Sequence, residues 1–257
     1  MKIRYINLDC CYSGYDEKDD DKFDYNSRFV SNWLSKEVRR HNLETDGSFR
    51  MISVHLKKEA SEIRNRIISE YVLDIGLLHT EEEHERYLGM KDERERFEFY
   101  LDRLTEGIKV AATIKEFDCE TLLGLIQQFR EQGYQNEWLQ KRVALKELGL
   151  KVEFISNHNS YDYHLDVNVI DKKKNVVARK TVFTTYPDEI FYQKRVTKKV
   201  VIKDNLIYIL DFLDHPFLSI NIDLLKDGII EEKIYEEHIL EYTPEADPEG
   251  FKKIRWE

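Results

Sequence analysis

At 257 residues, with 41% hydrophobic and 12% aromatic side chains, the chain is large enough to bury a core of its own, which excludes wholesale disorder. Charged residues make up 35%, above the usual ~25%, and no apolar run approaches the ~18 residues of a membrane span. The net charge of −10 opposes long-range steering of a polyanion, and ten glycines are too few to favour glycine-rich phosphate loops.

The opening "MKIRYINLDCCYSGYD" has charges inside its apolar run and reads as a strand rather than a leader peptide, with Cys10 and Cys11 on opposite faces. Three cysteines with no CxxC pair fit a reducing compartment, so the expected location is cytoplasmic. "DEKDDDKFD", Asp16 to Asp24, lacks the alternating ligands, central glycine and closing glutamate of a calcium loop and is expected to be a solvated acidic hairpin tip. Asn26 then caps a helix with Phe29, Val30, Trp33, Leu34 and Val38 on its apolar side.

After the turn signal "TDGS", "FRMISVHL" reads as a strand. In "KKEASEIRNRIISEYVL" the spacing of Ala60, Ile63, Ile67 and Tyr71 predicts a helix. Thr80 with Glu83 forms a capping box that opens a long charged helical segment, with Phe97, Tyr100, Leu101 and Leu104 on one side. Two further helices are predicted, "DCETLLGLIQQFREQG" ending at Gly133 and "NEWLQKRVALKELG" ending at Gly149.

Beyond Gly149 the pattern changes to period two. "LKVEFIS", "YHLDVNVID", "VVARKTVFTT", "KKVVIKD", "LIYILDF" and "FLSINID" follow one another as an antiparallel meander, with "DKKKN" and "KDN" as hairpin connections and an acidic tail. The expected fold class is therefore α+β, with a mainly helical part and a few strands over residues 1–149 and an antiparallel β-meander over 150–257.

Catalytic motifs are absent: there is no GxGxxG, no phosphate-binding GxxxxGK and no GxSxG. His79 and His84 in "HTEEEHE" are five apart, which places them about 140° apart on a helix instead of on one face. After Asp188, neither "VVIKD" nor "LIYILD" offers the acid two residues before a lysine that a two-carboxylate metal nuclease needs.

One row of groups invites a metal or a proton transfer. If "HNSYDYHLD" is one strand, His158, Ser160, Asp162, His164 and Asp166 share a face, opposite Tyr161, Tyr163 and Leu165. The apolar face explains the polar one as the solvated side, and ~13 Å between Asp162 and Asp166 prevents Asp162, His164 and Asp166 from gathering on one ion without a bend. Neither a metal, a cofactor nor a catalytic set is expected.

Charge is unevenly distributed. Residues 171–203 hold ten basic side chains against three acids, a net +7, while the rest of the chain carries −17. The expected contact surface comprises Lys172, Lys173, Lys174, Arg179, Lys198 and Lys199, facing a protein partner in the first instance, with nucleic acid as an alternative and no membrane. Acidic, cysteine-poor chains without motifs are the type to which bacterial immunity-type inhibitors of toxins belong, and that is the function expected by analogy of type. The alternatives are a metal-dependent nuclease or other phosphodiester hydrolase, or a nucleic-acid-binding accessory factor.

Overall fold

The computed structural model describes residues 1–10, 14–68 and 71–255. It divides into two compact units, residues 1–135 with 253–257, and residues 136–252. The expected α+β class is found, with helices concentrated in the first unit and antiparallel sheets in the second. The boundary falls at Gln135/Asn136 rather than at 149, because the helix expected over 136–149 is instead the strand β5 (Glu137–Leu145). Its apolar residues Val143 and Leu145 are two apart and face a sheet core, and Gly149 (φ +66°) belongs to a hairpin turn, not to a helix end.

In the first unit, β1 (Tyr5–Asp9), β2 (Met51–Lys57) and β4 (Val72–Leu78) pair in parallel, and β3 (Asn65–Ile68) adds an antiparallel edge to β4. The helix expected near Ala60 to Tyr71 is replaced by a single 3-10 turn (Ala60–Glu62) and the β3–β4 pair. β-Branched Ile67 and Ile68 gain a partner strand there, and Tyr71 adopts a left-handed conformation (φ 77°) that no helix interior tolerates.

Helix α1 (Glu17–His41) begins nine residues before the expected Asn26 cap. The acidic run is its first turns rather than a hairpin tip: Asp16 caps Lys18 N–H, and Glu17, Asp19 and Asp20 lie at the positive end of the helix dipole. Cys10 is buried, while Cys11 lies outside the described residues.

A row of small polar side chains joins α1 to the outer edge of β1. Ser35 Oγ accepts from Ile6 N–H (2.9 Å), Ser31 Oγ accepts from Leu8 N–H (3.2 Å), and Asp24 Oδ1 accepts from Cys10 N–H (2.7 Å). These bonds stand where another strand's ladder would be, so the edge is covered without a strand. Replacing Ser31 and Ser35 together by alanine leaves two buried strand N–H groups unpaired and is expected to cost about 1–3 kcal/mol for each. Urea unfolding reads this directly; a double variant within ~0.5 kcal/mol of wild type would contradict it.

The charged segment after the capping box is two helices, α2 (Glu81–Gly89) and α3 (Glu93–Ile114), followed by α4 (Cys119–Glu131) as expected. Both parts of the Thr80–Glu83 box are made. Gly107 of α3 lies over Val54 of β2, where an added Cβ would come within 2.5 Å of Val54 Cγ2, so the helix reaches the sheet only through glycine. Phe29, Trp33 and Phe129 bring α1 and α4 into the same core.

The second unit contains two four-stranded sheets. One is ordered β5-β6-β7-β8, adding β6 (Leu150–His158), β7 (Tyr163–Ile170) and β8 (Val176–Thr185). The other is ordered β12-β11-β10-β9, from β9 (Val200–Lys203), β10 (Leu206–Leu210), β11 (Pro216–Asn221) and β12 (Glu232–Ile234). Val152, Phe154, Leu165 and Phe183 from the first share one core with Ile207, Ile209, Phe217 and Ile220 from the second. The meander thus becomes two packed layers, because each strand has one apolar row to hide. Three short helices, α5 (Glu189–Tyr192), α6 (Ile222–Leu225) and α7 (Pro248–Ile254), complete the chain.

Candidate functional site

The "DKKKN" turn joins β7 to β8 as expected, and its geometry is built by its two ends. Asp171 Oδ1 accepts from Asn175 N–H (2.9 Å), Oδ2 accepts from the Asn175 amide (3.0 Å), and Lys174 takes a left-handed conformation (φ 69°). The Asn175 bonds hold the Asp171 carboxyl below its ordinary pKa, so it remains an acceptor at neutral pH. Lys172, Lys173 and Lys174 are exposed, and none has a carboxylate oxygen within 4.0 Å among the described residues. The stem of Lys172 lies across Gly149 in the β5–β6 turn.

The other expected contact residues are placed differently. Arg179 of β8 is bonded to buried Asp166 (Nη2 to Oδ2, 2.6 Å). Burial pushes the Asp166 carboxyl up, but hydrogen bonds from Thr181 and Arg179 outweigh it and the group ionises below its ordinary range. Lys199 is bonded to Asp214 (2.7 Å) and to the Phe212 carbonyl (3.1 Å), while Lys198 beside it is exposed. Lys199 precedes β9 and Lys203 ends it, ~13 Å further along. The basic segment is therefore not one continuous patch: Lys172 to Lys174 share an end of the unit with the β5–β6 turn, and Lys199 sits beside the β10–β11 turn.

The row from His158 to Asp166 does not lie on one strand. Asn159 to Asp162 form a turn, in which Asn159 Oδ1 accepts from Tyr161 N–H (2.7 Å) and Asp162 N–H (3.0 Å). His158 is thereby set opposite Tyr163 across the β6–β7 ladder, on the buried face. Its ring nitrogens meet the Pro187 carbonyl (3.0 Å) and the Tyr192 hydroxyl (3.0 Å). His164 and Asp162 bond to each other (2.9 Å) on the outer side. Among the described residues no three His, Cys, Asp or Glu side chains converge as a metal site would require.

Two further histidine arrangements stand in the first unit. On the first unit's sheet, Asn7 and Asp9 of β1, Ser53 and His55 of β2 and Asp74 of β4 alternate with the buried Ile6, Leu8, Ile52, Val54, Leu73 and Ile75. His55 Nδ1 meets Asp9 (2.5 Å) and Nε2 meets Asp74 (2.8 Å). Asp9 also accepts from Asn7 (2.6 Å), whose carbonyl accepts from Arg28 of α1 (2.7 Å). Burial alone would push the His55 pKa down, but the bond and charge of Asp9 and the charge of Asp74 raise it. Both ring nitrogens are engaged, so this imidazolium ties three parallel strands together.

The second arrangement follows β4. His79 and His84 are buried, with no hydrogen-bond partner at a ring nitrogen among the described residues, although His84 Nε2 lies 3.5 Å from Asp19 Oδ2, and their rings lie 5.5 Å apart. Tyr15 stacks on His84 at 3.7 Å and donates to the His79 carbonyl (2.5 Å). Burial, with the charges of His84, Arg103 and Arg86, pushes the His79 pKa down to about 4. The advance signal for the first cluster was alternation in "YINLD" and "ISVHL", which does not say which strands are neighbours; the second pair stands in "HTEEEHE", and the helical angle of about 140° does not separate the rings because His79 lies before the Thr80 cap, outside α2.

No family model matches the chain, and neither curated proteins nor solved structures give a match.

Proposed function

We propose that this chain acts stoichiometrically, by binding an acidic surface of a protein partner, and that it is an immunity-type inhibitor of a bacterial toxin working in the cytoplasm. The observation that carries this reading is the β7–β8 turn. Three consecutive lysines without an ion-pair partner among the described residues stand on a turn fixed by Asp171 and Asn175, while Arg179, Lys180, Arg195 and Lys199 are all ion-paired. A fixed turn presents its charge without ordering a loop at the moment of binding, and an electrostatic encounter gives rapid and selective association. No helix among the described residues is long and apolar enough to cross a membrane.

The hydrolase reading requires Asp162, His164 and Asp166 to be available to a metal. Asp166 is instead engaged by Thr181 and Arg179, and Asp162 by His164 and Asn159. The binding reading is supported by that engagement.

Its test is purification of the complex from the native host, identification of the partner and titration of the two purified proteins. We expect one-to-one binding that weakens at least tenfold when Lys172, Lys173 and Lys174 are all changed to glutamate, and that is indifferent to Asp162→Ala. Undiminished binding by the reversed turn would overturn the reading. So would metal-dependent cleavage of DNA or RNA that disappears with Asp162→Ala.

A further inference from the structure

Both sheets of the second unit end in partly exposed strands, β8 in one and β9 in the other. On one side, β8 keeps Val176 56% and Val177 47% exposed, but the segment leading to β12 runs beside it: Gly228 lies near the Val177 carbonyl, and Lys180 reaches the Ile230 carbonyl (3.4 Å) and Glu232 (2.6 Å). On the other side, β9 is the last strand of its sheet and is exposed along most of its length, with Val201 44% and Ile202 51% exposed. An uncovered edge with two large β-branched side chains is a template for another strand.

The outward groups of that edge follow from its hairpin. Asp204 and Asn205 both have positive φ (49° and 62°), as in a two-residue turn that makes Lys203 and Leu206 a hydrogen-bonded pair. Val201 opposite Tyr208 is then bonded too, and Lys199 accepts from Leu210 N–H (3.0 Å). Alternation leaves the N–H and C=O groups of Val200 and Ile202 pointing away from β10. Beside Ile202 lies a hollow of about 450 Å³, where apolar Leu145, Leu148 and Ile222 sit with Glu147, Asp223 and Lys226, so charges of both signs line it.

Charge selects what can be added. If a second copy paired antiparallel through all four outward groups, Val200 would face Ile202 and Lys199 would face Lys203 twice over, and like charges directly opposite are unfavourable. A strand with an apolar centre and acids at both ends meets those lysines favourably. The present partners of the two, Asp214 and Asp204, are themselves exposed, so exchanging them costs little.

We propose that the β9 edge receives an extended segment of a partner protein, apolar at its centre and acidic at both ends. This rests on the partner-binding reading above. The probe is a pair of synthetic ten-residue peptides with one alternating valine–threonine centre, ended by glutamates in one and lysines in the other. Each is added to the full-length chain while backbone amide exchange is followed. The glutamate-ended peptide is expected to slow exchange at Val200 and Ile202 at least tenfold and the lysine-ended one to leave it unchanged. Ile202→Pro is expected to abolish the effect, since the N–H it removes points away from β10.

No slowing by either peptide, or equal slowing by both, overturns the proposal on the wild-type chain alone, whatever the folding of the proline variant. Slowing that depends on protein concentration without peptide overturns it in favour of a second copy. A native complex that depends on Lys172 to Lys174 while neither peptide binds sinks this inference alone. Peptide binding with no native complex sinks the functional reading instead.

Discussion

His55→Ala is expected to destabilise the first unit by about 3–5 kcal/mol, the usual cost of removing one member of a largely buried charge network. Asp9 and Asp74 flank the ring from neighbouring strands, and without it two carboxylates with little access to water face each other across β2. The same ring makes stability depend on pH. Its folded pKa is raised, so its contribution is fully present below the unfolded value of about 6.5 and is lost as pH rises through the higher folded value.

His79 acts in the opposite sense. Held neutral by burial, with its pKa lowered to about 4, it favours the folded state above about pH 6.5, and this advantage is lost as pH falls towards 4. Chemical denaturation at about pH 5, 6.5 and 8.5 separates the two. His55→Ala should remove the decline on the alkaline side and leave the acid side unchanged. An equal loss of stability at all three pH values would show that His55 stabilises by packing alone.

Tyr163→Ala is expected to cost the second unit about 3–5 kcal/mol, as for deletion of a buried aromatic ring. Tyr163 is fully buried, stacks on Tyr192 at 3.6 Å and shares a hydrogen bond with Ser156 (2.8 Å). Tyr192 in turn meets His158, so one ring holds the β6–β7 hairpin to α5. Tyr163→Phe keeps the stack and removes only the hydroxyl, leaving Ser156 without that partner, at about 1–3 kcal/mol. Thermal and urea unfolding of the two variants should rank alanine well below phenylalanine. A phenylalanine variant as unstable as alanine would assign the stabilisation to the hydroxyl instead of the stack.

Tyr163 also shows how far local pattern reaches. Its inward direction followed from alternation with Leu165 and Val167, and all three are buried. His158 was placed on the wrong face because alternation was carried through Asn159 to Asp162, where the chain turns and a strand's period no longer applies. Residues 136–149 failed for a related reason: Trp138, Leu139, Val143 and Leu148 fit a helical spacing, but the partner strand β6 made a sheet the better way to bury Val143 and Leu145. The acidic run had no apolar period of its own, so its place in α1 was visible only once Asp16 was seen capping Lys18.

What the sequence by itself determined was whatever rests on neighbours within a few residues: the capping box at Thr80, the helix ending near Gly133, the meander after Gly149, its "DKKKN" and "KDN" turns, and the uneven charge. Tertiary structure alone decided which cations are already paired, that Asp9, His55 and Asp74 meet across three parallel strands, and that β9 ends its sheet with an exposed edge. Caps and turns are set by hydrogen bonds a few residues long. Ion pairs between strands, and the burial of an edge, depend on which distant segments become neighbours, and strand order is chosen by the whole core at once.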